Sequence, residues 1–309
     1  MKRLLHLLSV LTILLAMVVP LVGVQPALAV TFSILAYDSG WTYQTNAVYN
    51  TMWTAVSGFP NNTNTLHIGQ SYSAGDPYWE WRSYVVFDTS AIPVGAVITS
   101  ANVSLYGQQD FSLVDFNITI QNGQPTYPHI PLESGDYDKS VYAGDGGSLS
   151  TAGFSTAGYN VIPLNSTGLS WINNGGITKF ALRSSRDISG IAPTGIERVM
   201  VYSSSSAFQP RLTVEYLYIP EVTTNAATSI TATTAVLNAN LTSIGGANVT
   251  LRGFEWGTSS GNYTANVTSS PGPFTAGVFT DNATALSVNT TYFFRALAEN
   301  SIGRAYGGE

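Results

Sequence analysis

The chain has 309 residues, with 12 basic and 18 acidic side chains, a formal net charge of −6 and no cysteine. The absence of cysteine excludes a disulfide scaffold, a thiolate zinc site and a cysteine nucleophile. The acidic balance excludes a basic platform for nucleic acid. Charged residues make up 10% of the chain, against roughly 25% in an ordinary soluble domain, and this composition favours an extracellular β-protein.

The N-terminus is organised like a secretory signal peptide. A basic start precedes an apolar run over residues 4–24, and residues 27–29 form a small-x-small cleavage site. The run is also long enough to be an uncleaved membrane anchor, but Pro20 and Pro26 favour cleavage. We therefore predict that residues 1–29 are removed and that the mature protein is secreted, in the extracellular space or at the cell surface.

The mature chain shows short alternating segments separated by Gly, Pro, Asn, Asp and Ser, a pattern that predicts an all-β sandwich. In residues 101–106, for example, Ala101, Val103 and Leu105 share one apolar face. A helical turn capped by Asn165, Ser166 or Thr167 is predicted within residues 164–173. Further strands are predicted over residues 83–88, 116–121, 178–184, 198–202 and 210–216.

A domain boundary is predicted at a linker over residues 218–221, because Pro220 follows a strand and cannot donate to a further ladder. Five of the six tryptophans lie before this point, and the residues after it are rich in Thr, Ala and Asn. We therefore divide the mature chain into a first module, residues 30–217, and a second module, residues 222–309.

The second module carries the more specific pattern. Residues 234–241 and 286–296 alternate as strands, and Tyr292 lies six residues after Leu286, as in a tyrosine corner. The whole module resembles a fibronectin type III domain, which implies a smaller immunoglobulin-like β-sandwich. It departs from the animal form in having Leu237 where a tryptophan is usual, and its last strand is expected to be truncated.

The first module has an outline of its own. A strand, the sequence Asp-Thr-Ser-x-Ile-Pro at residues 88–93 and a second strand are followed much later by residues 169–173, 179–184 and 209–216. This order resembles the DNRLRE-type β-sandwich modules of secreted bacterial and archaeal proteins, a group that includes alginate-binding carbohydrate-binding modules. The hexapeptide that names the family does not occur here. The resemblance implies a jelly-roll-like antiparallel β-sandwich with a non-catalytic binding or structural role.

An aromatic-rich stretch precedes the first well-defined strand of the first module. Sugars stack their flat C–H faces on aromatic rings, and neighbouring polar groups bind their hydroxyls. The alternative is packing in the core, which we predict for Trp81 because it shares the parity of Val85 and Phe87. The candidate sugar-binding residues are four aromatic side chains, with three cations for an anionic ligand: Trp41, Tyr43, Tyr78, Trp79, Arg82, Arg183 and Arg186.

An acidic loop in the first module is a candidate calcium site. Calcium takes six to eight oxygen ligands, and closely spaced carboxylates with backbone carbonyls supply them. The candidate ligands are Asp136, Asp138 and Asp145. Their spacing is not that of an EF-hand, and a solvated, turn-rich loop is the alternative. Such a calcium ion would brace the loop, and no cofactor is predicted to be required.

The sequence gives little support for catalysis. Residues 257–261 match Gly-x-Ser-x-Gly, but that motif works on a strand-to-helix turn with a histidine later in the chain. No histidine follows His129, and His67 lies in a different segment. A glycosidase pair of carboxylates stays open, because it depends on a distance that a sequence does not give. We predict that the protein is not an enzyme.

These features predict a secreted, non-catalytic protein that binds extracellular polysaccharide through its first module, with the second module as a spacer. The alternatives are a structural or adhesive cell-surface protein without a sugar site, and an accessory fragment of a longer secreted polysaccharide hydrolase. The predicted partner is an extracellular polysaccharide or a cell-surface component, and neither nucleic acid nor, after signal cleavage, a membrane. Ten Asn-x-Ser/Thr sequons also occur, and they carry glycan only in a host that glycosylates secreted proteins.

Overall fold

The computed structural model describes residues 29–309. Apart from Ala29, the predicted signal peptide lies outside the described residues. The described chain is built from antiparallel strands in several sheets, with three helices of five residues each. The predicted all-β fold is therefore confirmed. No helix among the described residues is both long and apolar enough to cross a membrane.

Within the described residues, the first module contains eleven strands and the second contains seven. The strands of the first module are β1 Val30–Asn46, β2 Phe59–Asn61, β3 Thr65–Ser71, β4 Tyr78–Asp88, β5 Val97–Asp110, β6 Asn117–Gln121, β7 Ser148–Ser150, β8 Tyr159–Pro163, β9 Ile177–Ser184, β10 Ile196–Tyr202 and β11 Arg211–Leu217. Its helices are α1 Tyr49–Trp53, α2 Ser166–Ser170 and α3 Ser185–Ser189, and two 3₁₀ turns span Ser134–Tyr137 and Lys139–Val141.

The long strand β1 joins the two sheets of the first module. Its residues 30–35 pair with β11, which continues through β5 to β8 and forms a first sheet. From Ala36 onward, with an irregularity between Ala36 and Asp38, the same strand pairs with β4 in a second sheet that also contains β2, β3, β6, β7, β9 and β10. Inward-facing residues of both sheets form one apolar core, so the first module is a β-sandwich.

Strand β4 is buried on both of its faces. Val85 and Phe87 enter the sandwich core, as their alternation predicted. The opposite face is buried as well, and it carries the polar residues Glu80, Arg82 and Tyr84. Hydrogen bonds join Arg82 and Tyr84 to the backbone of the 3₁₀ turn at Ser134–Tyr137. A polar layer is thus enclosed between the second sheet and the segments that cross it.

The second module is a sandwich of a three-stranded and a four-stranded antiparallel sheet. The sheet orders are β12-β13-β16 and β15-β14-β17-β18. The strands are β12 Glu221–Thr228, β13 Ala235–Ser243, β14 Leu251–Gly257, β15 Ala265–Ser269, β16 Gly277–Ala283, β17 Phe293–Glu299 and β18 Arg304–Tyr306. Leu237 and Phe254 lie in its core. The Tyr292 hydroxyl accepts a hydrogen bond from the backbone N–H of Ser287 at 2.9 Å, which closes the corner before β17.

The junction between the modules is held by the side chain of Asn300. Its carboxamide nitrogen donates to the carbonyl oxygens of Tyr218 at 2.8 Å and Ile244 at 2.9 Å. The backbone N–H of Tyr218 donates to the carbonyl of Gly245. The start of the linker is therefore bonded directly to loops of the second module.

Candidate functional site

A group of aromatic rings, here called the aromatic band, lies at one end of the second sheet of the first module. It consists of Trp41 and Tyr43 on β1, Phe59 on β2, and Trp79 and Trp81 on β4. Cross-strand pairing of Tyr43 with Trp81 and of Tyr43 with Phe59 brings the three strands into register. Because side chains alternate along a strand, these positions share one face of the sheet.

The rings of the aromatic band are in continuous contact. The centroids of Trp79 and Trp81 are 5.7 Å apart with planes inclined by 10°, and those of Tyr43 and Trp79 are 5.7 Å apart with planes inclined by 20°. The centroid of the Tyr43 ring also lies 5.4 Å from that of Trp41 and 5.2 Å from that of Phe59. The band therefore runs as one packed row from the interior to the surface.

Burial divides the aromatic band into an anchor and a rim. Trp41 and Trp81 are 8% and 6% exposed and belong to the sandwich core. The burial of Trp81 was predicted, but the expectation that Trp41 offers its ring to a ligand was wrong. Tyr43 and Trp79 are half-buried, and Phe59 is 54% exposed. The accessible rim is therefore Tyr43, Phe59 and Trp79.

Phe59 was missed by the sequence analysis because β2 has only three residues, too few to show alternation. The signal that could have indicated it is the Phe-Pro pair at residues 59–60, an apolar residue between two turn-forming stretches. Its place opposite Tyr43 depends on the pairing of β2 with β1, which is a tertiary feature.

His67 and Arg198 border the aromatic band. The His67 ring stacks on Trp41 with centroids 4.5 Å apart and planes inclined by 9°. The Arg198 guanidinium lies over the Trp81 ring at 4.6 Å. Burial lowers the pKa of His67 to about 4, and the charge of Arg198 adds to this effect. His67 is therefore neutral at physiological pH, and Arg198 is the cation in contact with the band.

Tyr78 does not belong to the aromatic band, because it lies on the opposite face of β4. Its ring stacks on Tyr72 at 4.5 Å and meets the edge of Tyr49 at 5.6 Å. Trp53 lies beyond Tyr49, and the Lys139 ammonium sits 3.7 Å from the centre of the Trp53 ring. The predicted aromatic set is thus split between two surfaces.

Arg82 and Arg183 are not surface cations, which corrects the prediction that they bind an anionic ligand. Arg82 is 0% exposed, and its Nε and terminal nitrogen donate to the two oxygens of Asp187 at 2.9 and 2.7 Å. Arg183 donates to Asp187 at 2.7 Å and to Gln121 at 2.7 Å. Burial opposes ionisation of Asp187, but the two arginines prevail and lower its pKa.

Arg186 is also engaged inside the protein. Its Nε donates to the Glu197 carboxylate at 2.5 Å, and Glu197 is fully buried. Gln70 donates to the same carboxylate oxygen at 3.0 Å. The three predicted arginines therefore hold the polar layer together instead of facing a ligand.

Glu80 is the acidic residue of this polar layer whose side chain lacks hydrogen-bond partners among the described residues. It is fully buried, and neither carboxylate oxygen has a hydrogen-bond partner among the described residues. Burial, and then the negative charge of Asp187, raise the pKa of Glu80 well above its usual value. A protonated carboxyl is the chemical form of a general acid, but a side chain with no exposed surface does not reach a substrate.

The three candidate calcium ligands each bond to their own local backbone. Asp136 accepts from the N–H groups of His129 at 2.9 Å and Glu133 at 2.7 Å. Asp138 accepts from the N–H of Ser140, and Asp145 from that of Gly147, both at 2.8 Å. Over residues 29–309, no group of three or more His, Cys, Asp or Glu side chains is arranged to hold a metal. The structure does not bring the three together as a calcium site, and the Asp-x-Ser and Asp-x-Gly spacings indicate Asx turns.

A second aromatic cluster on the first module was also missed by the sequence analysis. Tyr106 contacts Tyr159 at 5.1 Å, Tyr202 at 5.8 Å and Phe208 at 4.3 Å. The Arg211 guanidinium lies 4.5 Å from the Tyr159 ring centre. The alternation of residues 101–106 set Tyr106 on the outer face, but the partner rings come from strands and loops that are distant in sequence.

The second module contains an open cavity of about 570 Å³ beside the Tyr292 corner, with a lining of mixed apolar and uncharged polar residues. Ile230, Leu237 and Trp256 contribute to its lining, which includes no acidic, basic or imidazole side chain. The Gly-x-Ser-x-Gly stretch lies in a turn between β14 and β15, so it lacks the strand-to-helix setting of a nucleophile.

Comparisons with known proteins do not assign a family. No protein-family model matches the chain, and no curated protein matches it. Among solved structures, it is similar to β-glucuronidase from Ruminococcus gnavus in complex with D-glucuronic acid, at 8% identity and a TM-score of 0.28, over 89% of this chain and 45% of that one. It is also similar to titin domains A168–A170, at 13% identity and a TM-score of 0.25, over 92% of both chains. The chain thus spans less than half of the glucuronidase, and at these TM-scores neither match assigns an activity.

Proposed function

We propose that this is a secreted, non-catalytic protein that binds extracellular polysaccharide through the rim of the aromatic band, with the second module as a spacer. The observation that carries the proposal is the continuity of the band. The half-buried Tyr43 and Trp79 rings and the exposed Phe59 ring extend directly from the buried anchor of Trp41 and Trp81.

The packing of the rim supports binding because it reduces the entropic cost of association. Trp79 is held between Tyr43 and Trp81, so its rotamer is fixed before a ligand arrives. Ordering a free side chain at an interface costs about 0.5–1.5 kcal/mol, and a ring already packed avoids most of this. The exposed Phe59 ring and the accessible parts of Tyr43 and Trp79 then offer apolar area to a sugar.

The charges around the band favour a neutral polysaccharide. Arg82, Arg183 and Arg186 are bonded to buried carboxylates, so they do not neutralise an anionic chain. His67 is uncharged at physiological pH. Within residues 29–309, Arg198 is the cation that contacts the rings, and a single guanidinium is suited to hydrogen bonding with hydroxyls rather than to binding a polyanion.

The first experiment is a depletion assay with the mature chain, residues 30–309, on a panel of neutral and anionic polysaccharides. We expect saturable retention on a neutral polysaccharide. Phe59→Ala should weaken it, whereas Phe208→Ala, which removes an exposed ring in the second aromatic cluster, should leave it unchanged. Absence of saturable binding across the panel would contradict the proposal.

The second candidate function is a structural cell-surface spacer without a sugar site. The observation that favours it is the junction, where Asn300 bonds to both Tyr218 and Ile244 and so holds the linker against the second module. A spacer would give no saturable retention in the same assay.

A further inference from the structure

The asparagines of the second module differ from those of the first in their sequence context. Six of the nine asparagines in residues 222–309 begin an Asn-x-Thr sequon, whereas four of the twelve in residues 30–217 begin an Asn-x-Ser/Thr sequon. The six are Asn240, Asn248, Asn262, Asn266, Asn282 and Asn289. The four are Asn61, Asn102, Asn117 and Asn165.

The sequon asparagines of the second module are also accessible. Five of the six are exposed, and Asn240 is half-buried. Among the described residues, no hydrogen bond is formed by the carboxamides of four of the exposed ones: Asn262, Asn266, Asn282 and Asn289. Their side-chain nitrogens are therefore free to react.

Two sequon asparagines of the first module, by contrast, form hydrogen bonds with their side chains. The Asn165 carboxamide accepts from the N–H of Gly168 at 3.0 Å and donates to the carbonyl of Asp145 at 2.9 Å. The side-chain oxygen of Asn102 accepts a hydrogen bond from the Ser104 hydroxyl at 3.2 Å. Modification of Asn165 would remove a helix cap and a loop contact, so we do not expect this sequon to carry glycan in the folded protein.

Two of the free asparagines lie on edge strands of the second sandwich. Among the described strands, β15 with Asn266 pairs only with β14, and β16 with Asn282 pairs only with β13. An edge strand presents unpaired backbone groups that invite pairing with another chain, and proteins usually protect it with charge. Here charge is scarce, since residues 222–309 contain seven charged side chains.

We propose that the second module is N-glycosylated, with Asn266 and Asn282 as glycan sites that cover its two adjacent sheet edges and Asn262 and Asn289 as further sites. An N-linked glycan is bulky, solubilising and confined to the surface. At these positions it would protect the edge strands from pairing with another chain, as charged side chains do elsewhere. The modification requires export, as the proposed function does, but it does not require polysaccharide binding by the first module.

The reaction is a glycosyl transfer from a lipid-linked oligosaccharide supplied by the secretory membrane. The side-chain amide nitrogen forms a bond to the anomeric carbon of the sugar, and the bond from that carbon to the lipid phosphate oxygen breaks. The amide loses one proton, and the lipid phosphate leaves with the electron pair of the broken bond. No oxidant or reductant takes part.

The test is mass spectrometry of the protein purified from the organism that produces it. We expect peptides containing Asn266 and Asn282 to carry sugar mass. Asn266→Gln and Thr268→Ala should each reduce the intact mass by the same single glycan, because both remove one sequon. Asn225→Gln is the matched control, since Asn225 is exposed on β12 and lies outside any sequon, and it should not change the glycan mass.

An unmodified asparagine at either edge-strand site in the secreted protein would overturn the proposal. So would sugar confined to the first module. Because the polysaccharide assay reports on the rim of the aromatic band in the first module, whereas the mass spectrum reports on asparagines of the second, their failures are separate results.

Discussion

Arg82 and Asp187 form a doubly hydrogen-bonded ion pair with both side chains 0% exposed, 105 residues apart in the sequence. Arg183 donates to the same carboxylate. The pair joins β4 to α3 beneath the segments that cover the second sheet. Arg82 belongs to the face of β4 opposite the aromatic band, so the pair lies in the polar layer and not beside the rim.

Asp187→Asn is expected to destabilise the first module strongly, because it leaves buried arginines without a counter-charge. Breaking a buried pair by removing one partner costs about 3–5 kcal/mol. The measurement is urea unfolding followed by tryptophan fluorescence. Glu299→Gln is the matched control, since it breaks an exposed pair with Arg304, and such pairs contribute under about 1 kcal/mol. An equal loss of unfolding free energy in the two variants would contradict the conclusion that Asp187 is a buried counter-charge for the arginines.

Glu80→Gln is expected to stabilise the protein at neutral pH. In the folded state the pKa of Glu80 is raised by burial and by Asp187, so the folded protein keeps a proton that the unfolded chain releases above its ordinary value of 4.5. The free energy of unfolding contributed by this group therefore falls as pH rises. Denaturation at a series of pH values should show the advantage of the variant growing upward from about pH 4.5. A difference independent of pH would refute this account of Glu80.

His67 gives the opposite pH dependence. Its pKa is about 4 in the folded state against 6.5 for the free side chain, so between these values the unfolded chain binds a proton that the folded protein does not. The free energy of unfolding contributed by His67 should therefore fall as pH decreases from 6.5 to 4. His67→Phe keeps a ring against Trp41 and should lose this component of the pH profile. An unchanged slope in the variant would show that His67 is not responsible.

The sequence predicted one face of each strand better than the other. The alternation of Ala101, Val103 and Leu105 placed them correctly in the core, because one face of β5 meets the other sheet and the opposite face is more open. In β4 the same logic located Val85 and Phe87 but left Arg82 available to a ligand. Its cover comes from segments about 55 and 105 residues away, and local periodicity does not report on such contacts.

The candidate site was predicted in part for the same reason. Tyr43 and Trp79 were identified as members of an aromatic-rich stretch before the first well-defined strand, and the structure places both at the accessible end of the band. Tyr78 was grouped with Trp79 by proximity in sequence, but adjacent residues on a strand point to opposite faces. Trp41 was correctly placed in the cluster and incorrectly expected to be exposed, since its burial depends on how the second sheet closes over the core.

Calcium removal is expected to leave the melting temperature unchanged, because the three candidate carboxylates bond to local N–H groups. Asp136→Asn should lower the melting temperature, since it weakens the hydrogen bonds from His129 and Glu133. The measurement is thermal unfolding in calcium and in a chelator, and the decrease should be the same in both. A decrease seen only with calcium would establish a metal site at this loop.

The most direct test of polysaccharide binding through the aromatic band is the affinity of Trp79→Ala for the polysaccharide that the panel identifies, measured by titration calorimetry. We expect a loss of about tenfold, because the lost stacking of about 0.5–1.5 kcal/mol corresponds to roughly two- to tenfold in the dissociation constant and the lost contact area adds to it. Tyr106→Ala, which removes a ring of the second aromatic cluster, should bind like the wild type. Unchanged affinity in Trp79→Ala, or a loss in Tyr106→Ala alone, would contradict the claim that the aromatic band is the binding site.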